Sequence, residues 1–293
     1  MLFGTAYEYW SREWECDYPA TVKKVSKLGF DVLEIGADHL YHMSDHDIDA
    51  LRRQGEECGI VFTTNSGPGK EYDLASSNVS IRQNGINYFT KIMQNMNKLG
   101  SKSLVGAIYS NWPCDFYETD KEAAWERSIA CLKTLAVTAE ELNVVISLEV
   151  LNRYETYILT DCVEAVDYVK RIGSRNIDIL LDTYHMNIEE DNMYDAIRYA
   201  GDLLGHLHVG ECNRKLPGQN HSIDWMEIGK ALREINYQKA VVMEPFLLSG
   251  GAVGRDIKVW RDLSGNATTA QMDEMLKEAL AYLKKCCLRE EGA

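Results

Sequence analysis

The stretch ILLDTYH, residues 179–185, is the most informative part of the chain, because a short aliphatic run breaks abruptly into an acid and then a histidine. In a parallel α/β protein, a buried strand delivers polar side chains to a site in this way. The same pattern also fits a buried strand followed by a helix that Asp182 caps. Because the pattern recurs elsewhere in the chain, the interpretation as a polar site is favoured over the helix cap alone.

Three other apolar runs end in polar side chains. They are VVISLE (residues 144–149), LLGHLH (203–208) and AVVME (240–244). Together with Asp182, these ends supply Glu149, His208 and Glu244. Three carboxylates and one imidazole at one rim form an oxygen-rich site that suits a divalent cation such as manganese, magnesium or cobalt better than structural zinc. His206 has the same strand parity as His208, and only the histidine nearer the strand's carboxyl end is expected to reach the cation.

Strand-like runs alternate with helical patterns along the whole chain, and eight such pairs can be counted. Strict alternation predicts a parallel sheet with helices outside, and eight units favour a closed (β/α)8 barrel. A doubly wound open sheet is the alternative, but no Gly-rich dinucleotide fingerprint follows the first strand. Residues 1–293 are therefore expected to form one α/β domain, a TIM barrel with its site at the carboxyl ends of the strands.

The amino-acid composition limits the kinds of partner that the chain is expected to bind. The 293 residues are 45% hydrophobic and 26% charged, with no apolar run long enough to span a bilayer. The net charge of −14 disfavours binding to nucleic acid. Eight cysteines without motif spacing, and a first segment that lacks the basic start of a signal peptide, predict reduced thiols in a cytoplasmic protein.

Polar residues just past the strand ends are candidates for contacts to a polyol or carbonyl substrate. His185 and Arg214 are two of them, and Glu155 is a third, although a solvated loop acid is its alternative. For Glu211, an ion pair with Arg214 is the preferred interpretation. The acid run at residues 189–191 is expected to begin a helix, where negative charge complements the helix dipole.

Four long motifs resemble the ketose 3-epimerases, that is, the D-tagatose and D-psicose 3-epimerase enzymes of the xylose-isomerase-like barrel superfamily. The motifs are LEVLNR (148–153), LDTYHMNIEE (181–190), GHLHVGECNR (205–214) and VMEPF (242–246). Tyr9-Trp10 and KVWRD (258–262) extend the resemblance over nearly the whole chain.

The resemblance implies that one divalent cation per chain, Mn²⁺ first and Co²⁺ or Mg²⁺ as alternatives, is held by the four strand-end residues Glu149, Asp182, His208 and Glu244. It also implies a set of contacts to the sugar, which are Glu155, His185, Arg214, Tyr7, Trp112, Phe246 and Gly106. A homodimer or homotetramer is implied as well.

One departure concerns the first strand. The family's usual pair of tyrosines is replaced by Ala6-Tyr7, which is expected to remove an aromatic wall on the side that meets the far end of the sugar. Wider tolerance at carbons 4 to 6 is expected, and the preferred ketose stays open.

The residues also fit a mechanism without the family. Loss of the carbon-3 proton of a ketose gives an enediolate, and inversion needs a base on one face and an acid on the other. Glu149 and Glu244, from strands five and eight, are the candidates for this catalytic pair. The predicted function is epimerisation at carbon 3, for example D-fructose to D-psicose or D-tagatose to D-sorbose. An aldose–ketose isomerase and a non-catalytic sugar-binding barrel are the alternatives.

Overall fold

The computed structural model describes residues 1–117 and 119–288, and within them eight parallel strands pair in chain order to close a barrel, β8 pairing with β1. The strands are β1 (Leu2–Ala6), β2 (Val32–Gly36), β3 (Val61–Ser66), β4 (Ser103–Gly106), β5 (Val145–Glu149), β6 (Ile177–Asp182), β7 (Leu204–Val209) and β8 (Ala240–Met243). The predicted TIM barrel is confirmed.

The helices surround the barrel. They are α1 (Tyr18–Lys27), α2 (Ala37–His42), α3 (Asp45–Cys58), α4 (Val79–Leu99), α5 (Lys121–Leu142), α6 (Cys162–Ile172), α7 (Thr183–Glu189), α8 (Met193–Ala200), α9 (Trp225–Glu234), α10 (Gly251–Asp256) and α11 (Thr269–Leu288). Ser44 and Asp120 illustrate how they begin, since each side chain accepts a hydrogen bond from a first-turn amide. α3 and α4 are each followed by a glycine cap, Gly59 and Gly100, whose φ angles of 68° and 85° favour glycine.

The inside of the barrel is apolar at the bottom and polar above. A Cβ at Gly4 would lie 2.8 Å from Val32 Cβ and 2.9 Å from Val242 Cγ2, so only glycine lets these side chains fill the bottom. On the same inward parity, Glu34 follows Val32 in β2, and His206 and His208 follow one another in β7. The polar upper layer supports the barrel mouth.

The acid run at residues 189–191 does not begin a helix, so that prediction is wrong. Glu189 ends α7, and Glu190 Oε1 accepts a hydrogen bond of 2.7 Å from the Cys162 amide at the start of α6. The negative charge therefore complements the dipole of a helix that precedes it in sequence.

Two further features concern disulfide bonds and membrane-spanning helices. The structure describes all eight cysteines, and none forms a disulfide. None of the helices in the described residues is both long and apolar enough to cross a membrane.

Candidate active site

Four side chains at the carboxyl ends of β5 to β8 meet at the barrel mouth. Glu149, Asp182, His208 and Glu244 each offer one ligand atom, and these atoms all lie within 4.8 Å of one another. All four residues are buried. The structure therefore brings together the four strand-end residues that the sequence singled out.

His208 lies close to two of the carboxylates of this cluster. Its Nδ1 is 3.5 Å from Glu149 Oε1 and 3.6 Å from Glu244 Oε1, and it has no hydrogen-bond partner in the part of the chain that the structure describes. Its Nε2 donates to Glu34 Oε1 at 2.7 Å. An orphaned, buried imidazole nitrogen that faces carboxylates is a donor set that fits a divalent cation.

Asp182 does two things at once. Its Oδ1 accepts from the Tyr184 amide at 2.9 Å and caps α7, while its Oδ2 accepts from Arg214 Nη1 at 3.0 Å. The helix cap at this strand end is therefore confirmed, and the same side chain also lies in the cluster. Arg214 also donates to Glu244 Oε2 at 3.1 Å and stacks over the Tyr184 ring at 3.7 Å. Its charge offsets part of the negative charge of the cluster.

The pKa values of the cluster diverge. Burial raises the pKa of Glu244 to about 7, against the opposing effect of His208 and Arg214. Burial also raises the pKa of Glu149. For Asp182, Arg214 and the nearby histidines outweigh burial and lower the pKa. Burial alone would lower the pKa of His208, but the surrounding carboxylates hold it well above its usual value. Carboxyls with such different proton affinities can act as acid and base near neutral pH.

His185 is oriented by the loop after β5. The Asn152 amide donates to His185 Nδ1 at 3.1 Å, which leaves Nε2 as the protonated nitrogen. Nε2 lies 3.6 Å from Asp182 Oδ2 and 3.9 Å from Glu149 Oε1. His185 thus presents an N–H at the edge of the cluster.

Glu155 is not a solvated loop acid. Its carboxylate accepts from Trp112 Nε1 at 2.8 Å and from Asn152 Nδ2 at 3.0 Å. Burial raises the pKa of Glu155, but His185 and Arg214 outweigh it and lower the pKa overall. The residue is therefore an ionised acceptor on the cavity wall.

Glu211 does not pair with Arg214 among the described residues, so this interpretation is wrong. Its carboxylate accepts instead from the Gly218 amide at 2.7 Å, from Ser222 Oγ at 2.8 Å and from Trp225 Nε1 at 2.9 Å. Glu211 holds the loop between β7 and α9 in place.

A cavity of about 1710 Å³ opens above the cluster. Most of the predicted sugar contacts line it, namely Tyr7, Trp112, Glu155, His185, Arg214 and Phe246. Gly106 does not line the cavity, whereas its neighbour Ala107 does. Ala6 is 2% exposed and does not line it either.

Three polar residues near the site were missed from the sequence. Glu34 contacts His208, Asn65 Nδ2 donates to Glu244 Oε1 at 3.2 Å, and Glu8 lines the cavity. Glu34 interrupts the apolar run of β2 and is followed by Ile35, so the strand-end rule applied to the later strands gave no signal for it. Glu8 follows β1 and has no such signal.

Comparison with known proteins places the chain in a family. A family model described as xylose isomerase-like TIM barrel matches residues 22–286. The D-psicose 3-epimerase of Ruminiclostridium cellulolyticum is 46% identical over 283 residues, which cover 96% of each chain. A crystal structure of D-psicose 3-epimerase in the presence of D-fructose has a TM-score of 0.96 at 43% identity, and covers 98% of this chain and 99% of its own.

A second crystal structure, D-psicose 3-epimerase with D-tagatose from Clostridium cellulolyticum H10, also has a TM-score of 0.96, at 45% identity and with 98% and 99% coverage. The likeness extends over the whole barrel and includes the strands that carry the cluster. The chain belongs to the ketose 3-epimerases, isomerases of the xylose isomerase-like TIM barrel family.

Proposed function

We propose that the chain epimerises free ketoses at carbon 3, interconverting D-fructose with D-psicose and D-tagatose with D-sorbose. One observation supports this most directly: carboxylates from β5 and β8 approach the same imidazole nitrogen, at 3.5 Å and 3.6 Å. Two carboxylates from different strands that approach one point can serve as base and acid toward a carbon held beside it.

In this proposal Glu149, Asp182, His208 and Glu244 hold one divalent cation, Mn²⁺ in preference to Co²⁺ or Mg²⁺. Their three carboxylates and one buried imidazole nitrogen are the supporting observation. When bound, the cation supplies Lewis-acid stabilisation of the negative charge that develops on the sugar's oxygens.

The chain's own residues carry the proton. Glu149 and Glu244 face carbon 3 from opposite sides, one taking its proton as base and the other returning a proton as acid. Burial raises the pKa of Glu244 to about 7, so both of its protonation states are accessible near neutral pH, and burial raises the pKa of Glu149 as well. His185 Nε2–H, Arg214 and Glu155 bind oxygens at carbons 1 to 3 and hold the planar intermediate still.

Nuclear magnetic resonance of the products tests the function. Mn²⁺-loaded protein incubated with D-fructose is expected to give D-psicose, and D-tagatose is expected to give D-sorbose. Appearance of an aldose in place of the epimeric ketose would support the aldose–ketose isomerase, and no conversion of any ketose would support a non-catalytic barrel. The family resemblance also supports a homodimer or homotetramer, which light scattering measures.

Metal affinity is expected to rise with pH between about 5 and 8. Glu244, with a pKa of about 7, and His208, with a pKa well above its usual value, carry protons that must leave before both can hold a cation. Calorimetric titration of Mn²⁺ in buffers of different ionisation enthalpy measures the protons released at each pH. Affinity that does not change over this range would contradict the prediction.

Replacement of Glu34 by Gln is expected to weaken Mn²⁺ binding by about 10- to 100-fold. Glu34 Oε1 accepts from His208 Nε2, and Glu34 Oε2 is itself fixed by Thr63 Oγ1 at 2.8 Å, so the charged acceptor orients the ring toward the cluster. Competition with a chelator measures the affinity. Glu126→Gln, the same change on the exposed face of α5, is the matched control. Equal affinities in the two variants would show that Glu34 does not orient His208.

A further inference from the structure

Glu8 is a buried carboxyl in the cavity wall. It lies in the 3-10 helix Tyr7–Trp10 that follows β1, and it is only 7% exposed. Its Oε2 has no hydrogen-bond partner anywhere in residues 1–117 and 119–288. Among the described residues, the fold therefore leaves one oxygen of this buried carboxyl without a hydrogen bond.

The surroundings do not compensate for this burial. Burial, together with the charge of the acidic neighbours Glu244 and Glu34, raises the pKa of Glu8 well above its usual value, against the smaller opposing effects of a backbone hydrogen bond and of His208. A buried polar oxygen without a partner costs free energy of folding, and such groups are retained where they serve a site. Glu8 also lines the cavity, together with Glu149 and Glu244 of the cluster.

The position of Glu8 indicates which part of a sugar it would meet, on the basis of the proposed function. Glu155, His185 and Arg214, which bind carbons 1 to 3 in that proposal, follow β5, β6 and β7. Glu8 follows β1, which pairs with β8 on the other side of Glu244. A ketose held at carbons 1 to 3 therefore extends its remaining carbons toward the wall formed by β1.

We propose that Glu8 binds a hydroxyl group on carbons 4 to 6 of the ketose and is a specificity-determining residue of this chain. Ala6, where the family's tyrosine is missing, is buried and does not line the cavity, whereas Glu8 and Tyr7 do. The polar carboxyl of Glu8 thus contributes to the wall on the side where an aromatic residue is usual. The preferred ketose is then one whose remote hydroxyl reaches Glu8.

The test compares the parent with Glu8→Gln and Glu8→Ala on D-fructose and on its analogues that lack the hydroxyl at carbon 4, 5 or 6. Glu8→Ala is expected to lower kcat/KM for D-fructose by about 10- to 100-fold, the effect of one strong hydrogen bond. For the parent, one of the three analogues should have a kcat/KM lower than that of D-fructose by a similar factor. With that analogue, Glu8→Ala should lower kcat/KM little further, because the missing hydroxyl and the missing carboxyl remove the same contact. Glu8→Gln, which keeps the shape, should lie between the parent and Glu8→Ala.

Two further measurements separate this role from a structural one. The melting temperature of the sugar-free variants is expected to stay equal to that of the parent or to rise, since an unpaired buried carboxyl has been removed. Mn²⁺ affinity should stay that of the parent and of the control Glu126→Gln. A melting temperature or Mn²⁺ affinity that falls would overturn the proposal, because Glu8 would then support the fold or the cluster.

The sugar series distinguishes this proposal from the proposed function. An unchanged kcat/KM for D-fructose, or an equal loss for D-fructose and all three analogues in a parent that epimerises ketoses, overturns only the role of Glu8. A parent that converts no ketose overturns both.

Discussion

Substituting Gln for Glu149 or for Glu244 is expected to lower turnover at saturating Mn²⁺ by about 10²- to 10⁴-fold, the usual contribution of a general acid or base. Gln keeps an oxygen for the cation but removes the carboxylate that accepts the proton. Both carboxylates approach His208 Nδ1, and in the proposed mechanism they face carbon 3 from opposite sides. Each variant should therefore lose proton transfer at one face of carbon 3 and keep it at the other.

Exchange of the carbon-3 hydrogen in deuterated water measures proton transfer at each face of carbon 3 separately. Glu149→Gln is expected to exchange the carbon-3 hydrogen of only one of the two epimers, for example that of D-fructose but not that of D-psicose. Glu244→Gln is expected to exchange the carbon-3 hydrogen of the other epimer only. Calorimetry with Mn²⁺ verifies that the cation is bound under the assay conditions. If each variant binds Mn²⁺ and epimerises near the parent rate, the two glutamates act only as ligands, and Glu155 and His185 become the next candidates.

The fold was predictable because β-strands and helices alternate with a regular period, and a parallel barrel places the carboxyl ends of all strands at one rim. The same rule found the cluster of Glu149, Asp182, His208 and Glu244, since each follows an apolar run directly. This rule does not depend on the conformation of the loops. The order of the strands in a closed barrel is sufficient to bring the ends of β5 to β8, and therefore these residues, together.

The loops were less predictable, because backbone geometry there determines where a side chain points. Arg214 follows Glu211 by three residues, which suggested an ion pair. However, the Arg214 amide donates to the Glu211 carbonyl at 2.9 Å in a tight turn, and Arg214 has a φ of 64°. The left-handed turn directs its guanidinium into the barrel, to Asp182.

Residues that reach the site from β1 to β3 were missed for a different reason. Asn65 contacts Glu244 across the barrel, 179 residues away in sequence, and Glu34 contacts His208 at a separation of 174 residues. No local pattern encodes such pairs. They follow only from the closure of the barrel, which places β1 next to β8.

Removal of a ligand from the cluster is expected to have the largest effect of all. His208→Ala deletes the only imidazole within the cluster of four, and Asp182→Asn replaces a carboxylate that has a lowered pKa and is therefore ionised. Both changes should lower metal affinity and turnover together, by more than the 10²- to 10⁴-fold of acid–base loss alone. Because the defect is in binding, activity should recover in part as Mn²⁺ is raised.

The Asp182 substitution has a matched control in the chain. Asn still accepts a hydrogen bond from the Tyr184 amide, so the cap of α7 is kept and the melting temperature should change little in the absence of metal. Asp161 caps α6 through the Glu164 amide at 2.7 Å and lies outside the cavity lining, so Asp161→Asn makes the same chemical change away from the cluster. Mn²⁺ titration of both variants, followed by the D-fructose assay, compares them. Parent-like activity of Asp182→Asn in metal-free solution would mean that the cluster does not hold a catalytic cation.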